Sequence, residues 1–222
     1  MEDNGKDVRG VWKLAALVVL ITVAAYAFMV TMGQAAQITK INEKSVVITG
    51  EMGPNFAKKV EAYIYKNPST NVFFLNSPGG TVAAGIQLGS IFNRIGATTV
   101  VAAGDACISS CAFAFLGGAN QKLEGALMFH RAWGNAKDGY THNDYLSDGQ
   151  QIGGYIMWYM ISVGYSTQFF YFIATETDLN KFMVFKDVKE LNKLYVGGPD
   201  TPVIKFTERL PITQSWVDER IK

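Results

Sequence analysis

Three short motifs between residues 76 and 133 contain the side chains that a serine hydrolase needs. NSPGG occupies residues 76–80, GDACISSCAF residues 104–113 and GALMFHRAW residues 125–133. A serine hydroxyl becomes a useful nucleophile when a neighbouring base takes its proton and preorganised N–H groups hold the oxyanion. Each motif has the residue pattern expected at the end of a β-strand. Three strand ends delivered to one place could supply the nucleophile, the base and the oxyanion hole of a hydrolase.

Each of the three roles has a candidate. Ser110 stands at the start of a predicted helix and is the candidate nucleophile, and the amide of Cys111 after it is unpaired because helix N-termini leave N–H groups free. Gly80 has no side chain to block approach and could present a second amide to the oxyanion. His130 is the candidate base because imidazole titrates near neutral pH. Ser109 competes with Ser110, and spacing alone does not separate them.

The same residues have purely structural interpretations. Paired glycines after a strand usually form a turn, and a serine before a helix usually caps it. His142 falls in a polar stretch and is interpreted as a solvated surface histidine. The only cysteines, Cys107 and Cys111, bracket the candidate nucleophile. They could form a disulfide if the turn brings their Cα atoms within about 7 Å, or remain two small buried thiols. Without a second Cys/His pair, their spacing is poor for zinc.

The composition indicates one globular domain that does not bind nucleic acid. The chain has 222 residues, 49% of them apolar and 18% charged, which is long enough for a well-packed domain and too apolar for disorder. A net charge of +1 provides no broad basic surface for phosphate backbones. No metal or organic cofactor is implied.

An apolar segment precedes this domain. Residues 14–32 contain no charged side chain, about the minimum length for a helix that crosses a hydrocarbon core. We predict a short tail over 1–13, a transmembrane signal-anchor over 14–36 and the folded domain over 37–222. The small residues near position 34 leave a cleaved signal peptide as the alternative. Either arrangement places the domain outside the cytoplasm, in the periplasm if the source is a Gram-negative bacterium.

The pattern of the domain predicts an α/β fold. Strands that alternate with helices form parallel sheets, and ligands collect at the carboxyl ends of the strands. Residues 134–150 are polar and glycine-rich and are predicted to form an exposed loop that could act as a lid. Residues 151–173 are predicted to form a buried helix pair rather than a second membrane span. The remaining elements are a strand pair over 38–52, helices over 54–66, 81–96 and 109–119, and strands over 71–76, 97–105 and 125–132.

The ordered set NSPGG, GDACISSCAF and ALMFHRA resembles the Clp protease proteolytic subunit and its crotonase-like superfamily, especially its membrane-anchored relatives. The resemblance spans roughly residues 40–200 and implies repeated β-β-α units, a peptide or protein substrate and a homo-oligomer. It implies an oxyanion hole formed by Gly80 and Cys111. The family serine precedes a small-residue helix, which selects Ser110, and the family histidine corresponds to His130.

The third member of the triad is less sharply defined by this resemblance. The family places an aspartate shortly before a Phe-Leu/Met-Ser segment, and Phe182 with Met183 is the corresponding anchor here. Counting back places Glu176 at the aspartate position, with Asp178 two residues later. Either carboxylate could orient His130 and stabilise its cation, and Asp178 is preferred for its side-chain length. The chain also departs from the family in having HRAW where His-Gln-Pro is usual.

The sequence therefore predicts a membrane-anchored serine peptidase with its domain on the extracytoplasmic side. The principal alternative is a catalytically inactive scaffold with the same fold, because the acid is uncertain and disulfide-capable cysteines flank Ser110. A Ser/Lys dyad would need Lys122 or Lys137 as its base, and neither lies in a recognisable motif. Acyl-CoA chemistry of the crotonase type is a third alternative, since those enzymes do not need a Ser/His pair.

Overall fold

The structure is a computed structural model that describes residues 34–132, 138–178 and 180–194. Most of the predicted membrane segment lies outside these ranges. Its last residues, 34–36, pair with the domain, since Ala35 bridges Glu51 and the Ala36 amide donates to the Glu51 carbonyl over 2.8 Å. Within the described ranges, no helix combines the length and apolar character needed to cross a membrane.

The described chain alternates between strands and helices, as the sequence pattern predicts. Its strands are β1 (Gln37–Lys40), β2 (Ser45–Thr49), β3 (Val72–Asn76), β4 (Thr98–Val101), β5 (Ala106–Ile108), β6 (Asn120–Leu123), β7 (Ala126–Phe129) and β8 (Met183–Phe185). Its helices are α1 (Phe56–Lys66), α2 (Val82–Arg94), α3 (Ser110–Leu116), α4 (His142–Ser162), α5 (Thr167–Glu176) and α6 (Val188–Asn192).

These strands form two sheets. The larger sheet has the order β1-β2-β3-β4-β6, antiparallel between β1 and β2 and parallel elsewhere. The smaller sheet has the order β5-β7-β8, with β5 and β7 parallel and β8 antiparallel to β7. Strands β4 and β6 belong to the larger sheet, and β5 and β7, which follow them, belong to the smaller one. Because each pair then leads into a helix, the fold contains the β-β-α repeat that the family resemblance implied.

Alternating apolar side chains explain why β2 and β3 lie at the centre of the larger sheet. Val46 and Ile48 on β2, and Phe73 and Leu75 on β3, are fully buried. Side chains alternate between the two faces of a strand, so these residues line one face. Thr81 caps the helix that covers them by accepting a hydrogen bond from an amide in its first turn. The α/β class is therefore confirmed.

Strands β5, β6 and β8 were not predicted, and one predicted loop was wrong. Strand β6 was missed because its sequence, NQKL, is mostly polar, as an edge strand can be when only part of it faces the core.

The predicted loop over 134–150 is helical from His142 onward. Thr141 accepts from the Asp144 amide and the Asp144 carboxylate accepts from the Thr141 amide, which is a capping box. The polar composition of residues 142–150 reflects a largely exposed first part of this helix, and its capping signal at Thr141 was overlooked.

Candidate active site

The NSPGG turn is braced by the buried hydroxyl of Ser77. This hydroxyl donates to the Gly50 carbonyl over 2.6 Å and accepts from the Gly79 amide over 3.1 Å. The Ser77 backbone also pairs with β5, accepting from the Ile108 amide and donating to the Ala106 carbonyl. The turn is thereby hydrogen-bonded to the strand that leads to the candidate serines.

Gly80 presents an unpaired amide at this turn. Its φ of +148° is a conformation that favours glycine, and an added Cβ would overlap the Met52 carbonyl. The Met52 backbone bonds to the residues on either side, accepting from Thr81 and donating to Gly79. Within the described chain the Gly80 amide itself donates to no acceptor. An added Cβ on Gly79 would come within 2.9 Å of the Ser110 nitrogen, so the turn lies against the start of α3.

Ser109 occupies the sharp turn between β5 and α3 in a strained backbone conformation. Its φ of 58° and ψ of −122° make it the one non-glycine residue with positive φ in the described ranges. Such outliers cost about 1–3 kcal/mol and cluster at active sites. Ser109 is partly exposed, and its side chain does not cap the helix that follows. Its hydroxyl is therefore not used for the structural role that a serine before a helix usually has.

Ser110, by contrast, is sealed from solvent. Its exposed fraction is 0%, and its Oγ has no hydrogen-bond partner among the described residues. An added Cβ on Gly85 of α2 would approach the Ser110 Cβ to 2.8 Å, which shows how closely α2 covers this side chain. In this conformation the Ser110 hydroxyl has no access to solvent. Ser109 and Ser110 therefore differ in accessibility, and the amide that directly follows Ser109 is that of Ser110.

Cys107 and Cys111 are joined by a disulfide. Their Cα atoms are 5.2 Å apart, and both residues are fully buried. The bond connects the middle of β5 to the first turn of α3. It therefore encloses Ser109 in a five-residue loop whose two ends are covalently held.

His130 follows the last residue of β7. The parallel register of β5 and β7 pairs Ile108 with Met128, and the Ser109 amide donates to the Met128 carbonyl over 2.8 Å. Ser109 and His130 thus lie just beyond the carboxyl ends of neighbouring strands, as the motifs predicted. The described structure contains no hydrogen bond between His130 and either serine. The imidazole Nδ1 instead lies 2.9 Å from the Arg131 carbonyl oxygen.

The two predicted carboxylates contact other groups. Asp178 Oδ1 accepts from the amides of Asn180 and Lys181, at 2.7 and 2.9 Å. These hydrogen bonds, that of Asn180 foremost, lower the pKa of the Asp178 carboxyl. Glu176 lies 4.0 Å from the Lys181 ammonium, with 59% of its side chain exposed. Neither carboxylate is hydrogen-bonded to His130 in the described structure.

The other candidates remain outside this site. Lys122 lies on β6 of the larger sheet with an exposed side chain, whereas a lysine base needs an apolar environment. Lys137 lies outside the described residues. His142 is exposed at the first position of α4. No cluster of His, Cys, Asp or Glu in the described ranges could hold a metal ion.

Two residues with defined contacts at the site received no role from the sequence. Ser77 braces the glycine turn, and its position directly after β3 was the available signal. Phe182 packs edge-on against the His130 ring, with centroids 5.3 Å apart and planes at 80°. Its contact depends on the antiparallel pairing of β8 with β7, which the sequence pattern did not reveal.

Known proteins similar to this chain were found at the level of structure and of family. One solved structure with a similar fold is a serine-to-alanine mutant of the 1510-N membrane-bound stomatin-specific protease, with a TM-score of 0.49 and 13% identity over 69% of this chain and 75% of that one. No curated protein sequence matches significantly. The Clp protease family model matches residues 24–153, which include the glycine turn, both serines and His130 and end before Glu176. Because the match covers more than half of the sequence, the chain belongs to the Clp protease family of peptidases.

Proposed function

We propose that this chain is a serine peptidase in which Ser109 is the nucleophile and His130 is the base. The observation that carries the proposal is the backbone of Ser109. Its strained turn between a strand and a helix is the geometry by which serine hydrolases raise a nucleophilic hydroxyl above a sheet. The residue is partly exposed, and its side chain does not cap the helix that follows.

In this proposal the reaction has two stages. The Ser109 hydroxyl adds to the carbonyl carbon of a peptide bond as its proton passes to His130 Nε2, and the amides of Gly80 and Ser110 hold the resulting oxyanion. Cleavage of the C–N bond releases the amine, which takes the proton from His130. Water then hydrolyses the acyl-serine ester with His130 again acting as base. Hydrogen bonds between base and nucleophile are often long in unliganded enzymes and tighten with substrate.

The test is active-site labelling of the full chain in detergent with a fluorophosphonate probe. We expect wild type and Ser110→Ala to be labelled and Ser109→Ala to be unlabelled. Ser110→Ala is the matched control because it removes the adjacent hydroxyl. Label lost only in Ser110→Ala would overturn the assignment to Ser109 and restore the sequence-based one with the Cys111 amide. Absence of label in folded wild type would favour the inactive scaffold.

We further propose that the domain faces the extracytoplasmic side of a membrane, anchored by the uncharged segment over residues 14–32. The Cys107–Cys111 disulfide supports this location because such bonds persist in oxidising compartments. Membranes from expressing cells should retain the chain after alkaline carbonate extraction. External protease should digest the domain in spheroplasts, and release by carbonate would contradict the anchor. A homo-oligomer is part of the same proposal, and the mass of the detergent-solubilised chain tests it.

A further inference from the structure

The surroundings of His130 contain a neutral hydrogen-bond acceptor and an aromatic ring. A backbone carbonyl only accepts, so the 2.9 Å contact from Nδ1 to the Arg131 oxygen places a proton on Nδ1. Nε2 then carries the lone pair that a general base needs. The Phe182 ring meets the imidazole edge-on, which is a favourable aromatic geometry. Strand pairing sets this contact, because Phe129 is opposite Met183 and the next residues along are His130 and Phe182.

The nearby carboxylates are committed to local structure. Asp178 closes a turn in which its carboxylate accepts from two amides and its own amide donates to the Lys181 carbonyl over 3.0 Å. Moving this carboxylate to the imidazole would break both of its hydrogen bonds. Glu176, at the end of α5, is largely exposed beside the Lys181 ammonium. In the described structure, the group bonded to Nδ1 is therefore the Arg131 carbonyl.

We infer that the Arg131 carbonyl and the Phe182 ring, rather than Asp178 or Glu176, position His130, so that Ser109 and His130 act without either of these two carboxylates. This inference rests on the proposed function of Ser109 and His130. The carbonyl fixes the Nδ1–H tautomer, and Phe182 restricts rotation of the ring, which makes both of them positioning groups. A neutral carbonyl stabilises the imidazolium less than a carboxylate does. The arrangement nevertheless leaves Nε2 free to accept the serine proton.

Substitution of Asp178 and Glu176 tests whether His130 is positioned by the Arg131 carbonyl and Phe182 or by the carboxylate of a catalytic triad. Replacing the aspartate of a Ser-His-Asp triad by asparagine costs on the order of 10⁴-fold in rate. We expect Asp178→Asn and Glu176→Gln each to keep the rate of fluorophosphonate labelling within about threefold of wild type, since neither carboxylate is hydrogen-bonded to the imidazole in the described structure. Asp178→Asn keeps the Oδ1 that closes the turn. A loss of more than about 100-fold in either variant would overturn the inference.

Phe182 provides the positive arm of the test. We expect Phe182→Leu to slow labelling about tenfold, and Phe182→Tyr to restore the wild-type rate because it keeps the ring. Equal rates in all three proteins would exclude a positioning role for Phe182. The unfolding midpoint of each variant shows whether a slower rate reflects loss of structure.

The imidazole tautomer provides a readout that does not depend on activity. The chain has two histidines, so ¹⁵N-histidine NMR of His142→Gln reports on His130 alone. We expect a protonated Nδ1 and an unprotonated Nε2, unchanged by Asp178→Asn and Glu176→Gln. A proton on Nε2 would overturn the inference. Wild type that shows the Nδ1–H tautomer but takes no label would instead refute the proposed function and leave the positioning intact.

Discussion

At the scale of single residues, two buried serines differ in whether their hydroxyls are satisfied. Ser77 has hydrogen bonds to Gly50 and Gly79, whereas the Ser110 hydroxyl has no partner in the described structure. A buried hydroxyl without a partner costs about 1–3 kcal/mol. We therefore expect Ser110→Ala to leave the free energy of unfolding unchanged or raise it by about 1 kcal/mol. Ser77→Ala should lower it by about 1–3 kcal/mol.

Urea denaturation of both variants checks this pair of expectations. Ser77→Ala serves as the control for loss of a buried serine hydroxyl with partners. A destabilised Ser110→Ala protein would show that this hydroxyl does have a partner in solution.

Asp105 and Asp144 provide a second test at this scale, because their pKa values shift in opposite directions. Burial raises the pKa of the Asp105 carboxyl above its ordinary value of 3.8. Because the pKa is raised in the folded state, protonated Asp105 stabilises the fold at pH values below 3.8. This stabilisation is lost as the pH rises through the folded-state pKa. Replacing Asp105 by asparagine removes this dependence. We expect Asp105→Asn to gain stability relative to wild type between pH 3 and pH 7.

Asp144 is the control of opposite sign. Hydrogen bonds from the Thr141 hydroxyl and then from its amide lower the pKa of the Asp144 carboxyl. That contribution is present above 3.8 and is lost as the pH falls through the folded value. Asp144→Asn should therefore lose stability relative to wild type between pH 3 and pH 7. Urea denaturation at pH 3 and pH 7 measures the unfolding free energy of both variants relative to wild type. If this difference changed in the same direction for both variants, the opposite pKa shifts of Asp105 and Asp144 would be contradicted.

At the scale of elements, the disulfide holds the strand-to-helix turn that contains Ser109. By restricting the unfolded chain, a disulfide that closes a loop of this size adds about 2 kcal/mol to the free energy of unfolding. We expect the double variant Cys107→Ala/Cys111→Ala to lose about that much unfolding free energy and to be labelled more slowly by fluorophosphonate. Because both cysteines are fully buried, reductant added to the native enzyme should leave labelling unchanged. A prompt fall in labelling would indicate a redox switch instead.

At the scale of the whole molecule, Tyr159 connects α4 to the helices that cover the larger sheet. Its hydroxyl donates to the Phe113 carbonyl over 2.7 Å, and it approaches the Gly89 backbone so closely that no Cβ would fit there. We expect Tyr159→Phe to cost about 0.5–1.5 kcal/mol of unfolding free energy and Gly89→Ala to cost about 1–3 kcal/mol.

The double variant checks that these two residues share one contact. Gly89→Ala should cost less in the Tyr159→Phe background, because the hydroxyl that the new methyl group would strike is gone. Thermal or urea unfolding of all four proteins measures the coupling. Strict additivity would show that the contact does not form.

Much of the fold was predictable because its signals are local. Val72–Asn76, the Pro78-Gly79-Gly80 turn and α2 follow one another as the sequence indicated, since strand alternation, turn residues and helical periodicity are read within a few positions. Strand β6 was not predicted because its sequence contains too few apolar residues to show the alternation of a strand. The start of α4 was not predicted because the polar, glycine-rich composition around it was interpreted as a loop and the capping residue Thr141 was overlooked.

The sequence by itself determined that a serine pair, a histidine and a glycine turn stand at the ends of strands, because motif and element lie side by side along the chain. Only the tertiary structure decided which serine is exposed. Ser109 and Ser110 are neighbours, and their difference comes from α2, which covers one of them and is distant in sequence. The contacts of His130 were decided in the same way. Phe182 reaches it through the pairing of strands more than 50 residues apart, and such long-range contacts leave no periodic signal in the sequence.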